Sequence, residues 1–221
     1  MRLDPARVRE RIVDVNDGIL ATAGFAEGLV GGGLPPSQVY TIIAISAVAG
    51  AVGVGGAKFG EVSAQREAEL ELAAEERRLL ALSPEDERRE LVEHYRSKGL
   101  SEATAELVAD ELSAADALSA QLESEYGIRE LTRPAQSWLE AVWSGLGFLL
   151  GAAVPVLVAL LIPGQWLDEF ILVAVVVSLA VTGLVLARLG QTRVWATLLR
   201  SVLIGLASLG VSYLVGRLIA Q

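Results

Sequence analysis

The chain contains no cysteine, one histidine and one methionine, the initiating Met1. Disulfides and thiolate metal sites are therefore excluded. Lysine is scarce beside arginine, and only 5% of residues are aromatic. No Ser-His-Asp set or paired catalytic acids can be assembled, and the P-loop and Rossmann glycine patterns are absent. The reading is therefore not an enzyme. The N-terminal MRLDPARVRERIVDVNDG has no apolar core of the kind a signal peptide needs, so the first span is expected to act as its own insertion signal.

What is present is apolar length. Of 221 residues 52% are hydrophobic, and mean hydropathy is +0.48. Ala141 to Ile162, Phe170 to Ala187 and Val39 to Ala57 carry no charge, and Val194 to Gly216 carries only Arg200. A bilayer core about 30 Å thick needs roughly 20 apolar residues in helical form. Gly18 to Gly33 is a fifth, shorter stretch, rich in glycine and interrupted by Glu27. These runs predict an all-α membrane protein of five transmembrane helices, with an acidic three-helix domain inserted between spans two and three. The expected divisions are an amphipathic arm over 1–17, spans one and two over 18–60, the acidic domain over 61–133, and spans three to five over 134–221.

The formal charge is −9, and residues 61–133 account for it, with 19 acids against 9 bases. Acidity concentrated in one segment fits cations and argues against nucleic acid. Ser83-Pro84 predicts a helix start, Gly99 its end, and Ser101 to Gly127 a further helix. Leu79, Leu80, Leu91, Val92, Leu107, Val108, Leu112, Leu118 and Leu122 have the spacing of a small shared core. Asp4-Pro5 predicts the start of the arm helix. Gly50, Gly53, Gly56 and Gly60 predict close approach of span two to a neighbour, within one subunit or across a dimer.

Arginines set the orientation. Arg2, Arg7, Arg9 and Arg11 flank the first span, and Arg188 and Arg193 lie between spans four and five; the links at 31–37 and 163–169 have neither Lys nor Arg. The positive-inside rule then places the N-terminus and acidic domain in the cytoplasm and the C-terminus outside, in a cell membrane expected to be microbial.

Carboxylates near or within spans line ion paths or pair with a partner. Asp17 lies at the start of span one, where it can meet an ion or, following Asn16, cap the helix. Glu27 is about 15 Å deeper at helical rise. Lys58 and Glu61 lie at the inner end of span two, and Lys58 is expected to pair with Asp17. Glu87 and Glu90 share a helix face, and oxygen-only donors suit hard or borderline divalent cations. A solvated acidic surface is the alternative for the same residues, and His94 reads as a surface residue.

Asn16-Asp17-Gly18-Ile19 resembles the "NDGL" that opens the vacuolar iron transporter family. AVGVGGAKFGEVSAQRE, ending at Glu67, is similar to that family's second span and its "GEYxSxxxQRD" exit. SPEDERRELVEHYRSKGL, residues 83–100, resembles "PEEExxELxxIYxxKGL", and Glu125-Tyr126-Gly127-Ile128 resembles "ELGL". The resemblance implies a five-span homodimer in the lipid bilayer. It would move Fe²⁺ or Mn²⁺ out of the cytoplasm in exchange for protons, with the ion as cargo and no permanently bound cofactor. It matches Glu10 and Asp17 to the transport path and Glu87, Glu90, Glu125 and either Glu75 or Glu76 to metal capture; Glu27 or Glu61 would exchange protons. The sequence departs from the pattern in four ways. Lys58 stands for a glutamate and Glu61 for a serine. Val54, Gln121 and Leu122 stand where methionines are expected, and Glu27 where a small neutral residue is usual. These departures motivate a second reading, a non-transporting membrane protein whose acidic helices act as a metal sensor or interaction scaffold.

Overall fold

The computed structural model describes residues 5–190 and 193–221; Arg2 and the expected Asp4 cap lie outside the described residues. Among them are seven α-helices: α1 Pro5–Gly31, α2 Pro36–Leu82, α3 Pro84–Ser97, α4 Glu102–Tyr126, α5 Pro134–Leu161, α6 Leu167–Gly190 and α7 Val194–Ile219. The helices group into two compact units. Phe59–Trp138 form one, and the rest of the described chain forms the other. Helices α2 and α5 each contribute to both.

The larger unit is apolar inside and out. In α6, Ile171, Val175 and Leu179 point into the core while Val173, Val177 and Val181 are exposed. A helix that is hydrophobic all round and bare on one face belongs in lipid. Four helices, α2, α5, α6 and α7, are long and apolar enough to cross a membrane. Helix α1 falls short of that composition. It starts among arginines and carries Glu27, and it packs its apolar side into the same core through Ile19, Ala23 and Ala26.

One expectation about α1 is corrected, and the capping alternative for Asp17 falls with it. The arm and the following span are one unbroken helix of 27 residues, so Asp17 lies mid-helix and caps nothing. The packing of α1 on α5 explains the continuity. A Cβ on Gly18 would stand 2.9 Å from the Ala152 nitrogen, and one on Gly151 would stand 2.9 Å from the Ile19 nitrogen. The two backbones therefore touch directly on either side of Asp17, as small residues permit between membrane helices. In α2 the glycine expectation divides. Gly50 packs on the Phe148 ring, whereas Gly53, Gly56 and Gly60 face no described atom outside their own helix within 4 Å.

In the smaller unit, Gly127 adopts φ 70° and closes α4, and Gly99 adopts φ 97° after α3. Ser101 caps α4 by accepting the Thr104 N–H. Ser83 precedes α3 without a side-chain capping bond, so Pro84 and the first-turn acids start that helix. Helix α4 breaks at Asp116 (φ −162°, ψ 92°), whose carboxylate accepts the Ser119 N–H and restarts it. Of the expected apolar core, Leu91 and Leu122 are buried and Leu107 is exposed; Ala73, Ala105 and Ala109 are buried in the same unit.

Candidate metal site

Small alanines leave room in the smaller unit, and carboxylates occupy it. Val62, Glu69, Ala73 and Glu76 form one buried stripe of α2 at intervals of seven, four and three residues, a single helix face. Glu87 is buried on α3 and Gln121 on α4. The unit therefore buries three glutamates, which occurs only where something compensates them.

Glu69 is compensated from within. It accepts the Thr132 N–H at 2.6 Å, the Thr132 hydroxyl at 3.0 Å and the Gln65 amide at 2.8 Å. Burial pushes its pKa up, but these bonds outweigh it and hold the carboxyl below its usual range. The contact ties the segment before α5 to α2.

Glu76 is not compensated. It is 1% exposed, and neither carboxylate oxygen meets a hydrogen-bond donor. Its neighbours are the carboxyls of Glu87 and Glu125, with one oxygen of each of the three lying within 4.8 Å of the others. Burial, followed by contact with Glu87 and the charges of Glu125 and Glu90, pushes Glu76 up to about 7. Glu90 is raised as well, first by its hydrogen bond with Glu125 and then by burial. The Tyr126 hydroxyl also bonds Glu125 and is pushed up to about 12. Gln121 donates its amide to the Glu87 carbonyl at 2.6 Å and to Glu87 Oε2 at 3.1 Å, holding that side chain toward Glu76.

Of the five glutamates expected to capture metal, Glu76, Glu87 and Glu125 come together and Glu90 adjoins them through Glu125. Glu75 points away. It is exposed and bonded to Arg78 at 2.9 Å. Two helix positions one residue apart are about 100° apart around the axis, so only one can face the cluster. The arrangement can bind a divalent cation through oxygens alone; without one, it must share protons.

Of the expected path residues, Glu10, Asp17, Glu27 and Lys58 belong to the larger unit and Glu61 to the smaller. Lys58 pairs with Glu10, not with Asp17. The glycine contacts give the reason. Gly147 of α5 meets Asp14 while Gly145 meets Ala51, which sets Asp17 level with α2 residues well before Lys58. Asp17 is exposed on the chain's surface. Arg11 bonds Glu140, Ser144 at 3.0 Å and Asp14 at 3.3 Å. Glu61 is exposed on α2, and Glu27 is buried near the far end of α1. From the sequence, neither Asp14 nor Glu140 is singled out; Arg11 enters only through orientation and Gln121 only as the replacement of a methionine. Asp14 was legible in principle, lying one turn from both Glu10 and Asp17.

The VIT family model matches residues 8–217. This chain belongs to the VIT family. Among VIT relatives, the vacuolar iron transporter of Acanthamoeba castellanii (strain ATCC 30010 / Neff) is 30% identical over 161 residues, 72% of this chain. The match spans 58% of that relative's length. Four apolar helices and VIT membership together make this a multi-pass membrane protein. Its carboxylate cluster falls within the matched residues.

Proposed function

We propose that this chain exports divalent metal, Fe²⁺ or Mn²⁺, from the cytoplasm in exchange for protons, as a homodimer of five-span subunits. The observation that carries the reading is Glu76, buried without a donor and facing Glu87 and Glu125. A cation supplies what those carboxylates lack. VIT membership supports metal as the cargo, with α1 as the fifth span. Glu10, Asp14 and Asp17 follow one another along one face of α1 and would form the entry to the path. The exposed Asp17 and Phe25 of α1 and the open Gly53 and Gly56 of α2 offer surface for a second copy. The sensor or scaffold reading keeps one supporting observation: Lys58 neutralises Glu10 where a cation path would need free carboxylate.

Transport into proteoliposomes of the purified protein tests this. Mn²⁺ flux should depend on a pH gradient and fall at least tenfold in Glu76→Gln/Glu87→Gln. Metal binding without any flux would favour the sensor.

A further inference from the structure

The larger unit holds a buried acid that neither packing nor charge explains. Glu27 lies just before the last turn of α1, toward the negative end of the helix dipole, where a carboxylate gains nothing from its own helix. It is 3% exposed, and its Oε1 is fully buried without a hydrogen-bond donor. Its carboxyl faces that of Asp168, and the charges that reach it are Asp168 and Glu169, both negative. Among the described residues, no Lys, Arg or His pairs with any of the three.

Asp168 and Glu169 have an ordinary explanation, since they open α6 and complement its dipole. Glu27 has none. It approaches from another helix, toward the wrong end of its own dipole, with one oxygen bare and its carboxyl beside a second carboxyl. Ala26 beside it and Leu167 beside Asp168 both belong to the buried core, so the two helix ends are held together. Asp168 is half-buried and Glu169 exposed, which leaves a route from solvent to the pair.

We infer that Glu27 and Asp168, with Glu169 at the rim, form a second site for a hard divalent cation. Two carboxylates from different helices offer oxygen ligands of the kind such cations take. The site is ten residues along α1 from Asp17, about 15 Å at helical rise, so it serves a different level of the molecule. It rests on the reading that the chain handles divalent metal, and it is separate from the Glu76 cluster.

Equilibrium binding of Mn²⁺ to the purified full-length protein tests it, with free ion followed by its paramagnetic resonance. Wild type should show two classes of site. Glu76→Gln/Glu87→Gln should remove one and keep the other. Glu27→Gln and Asp168→Asn should each weaken the remaining class at least tenfold. Asp168 sits half-exposed at a helix start, so its variant keeps the test decisive if Glu27→Gln fails to fold. Unchanged Mn²⁺ binding in Asp168→Asn overturns the inference. So does a Glu27→Gln protein that melts higher and binds Mn²⁺ as before, because the two acids would then merely share a proton. Loss of only the Glu27 class in the single variants, with the Glu76/Glu87 variant indistinguishable from wild type, would uphold this site and sink the cluster.

Discussion

Individual side chains in the smaller unit take opposite sides of one electrostatic balance. Glu69 is buried among donors and stays ionised; Glu76 is buried among acids and resists ionisation. Their effects on stability therefore have opposite signs. The folded pKa of Glu69 is lowered, so its contribution is present above the unfolded value of 4.5 and is lost as pH falls. The folded pKa of Glu76 is raised from 4.5 to about 7, so the folded state holds the extra proton and loses stability as pH rises through that window. In the metal-free protein, Glu76→Gln should stabilise the unit at pH 8 by on the order of 1–3 kcal/mol. The gain should vanish near pH 4.5. Thermal melts across pH check this, and a variant no more stable than wild type at pH 8 would show that Glu76 is relieved in another way. Bound metal should reverse the ranking, because wild type then gains the ligand's stabilisation and the variant does not.

Helix α1 shows how packing overrides a boundary expected from composition. The polar arm and the apolar stretch have different environments, yet their backbone does not break, because Gly18 lies directly against α5. Asp17→Asn should accordingly leave helix content and melting unchanged within about 0.5 kcal/mol, as for a surface substitution away from caps. Reduced metal flux in that variant would then report on the ion. Gly151→Leu should behave in the opposite way. Its side chain would enter the space of the Val15 carbonyl carbon, which a Cβ alone would approach to 2.8 Å. Overpacking of this kind costs about 1–3 kcal/mol or more, and here the obstacle is backbone that cannot rotate away. The expected result is loss of the monodisperse protein in detergent, read by size exclusion. The ends of α3 and α4 were readable from Gly99, Ser101 and Gly127, since glycine and capping chemistry act locally. The break at Asp116 was not, because Asp-Ala-Leu-Ser is equally at home inside a helix.

Helices α1 and α2 are linked by the ion pair of Glu10, near the start of α1, with Lys58, midway along α2. Lys58 neutralises Glu10 in the stretch that an ion would have to pass on the proposed route. If that pair acts as a gate, Lys58→Glu should raise initial Mn²⁺ flux several-fold in proteoliposomes. Glu10→Ala, which removes this partner of Lys58, should lower it. Equal flux in wild type and both variants would remove the pair from the path. High ionic strength should narrow the differences only slightly, since both partners are half-buried and partly buried pairs are screened little.

The sequence by itself determined the helical class, the membrane character, the family and the concentration of acid in one segment. Those properties follow from apolar run length, charge counts and local turn chemistry, all of which are written in consecutive residues. Tertiary structure alone decided which acids meet. Glu76 rather than Glu75 faces Glu87, Lys58 finds Glu10 rather than Asp17, and Glu27 meets Asp168 from a helix more than a hundred residues away. Such pairings depend on helix phase and on the register set by glycine contacts between helices. One residue of phase turns a side chain by about 100°, and no composition or spacing rule within a single helix specifies which neighbour it will find.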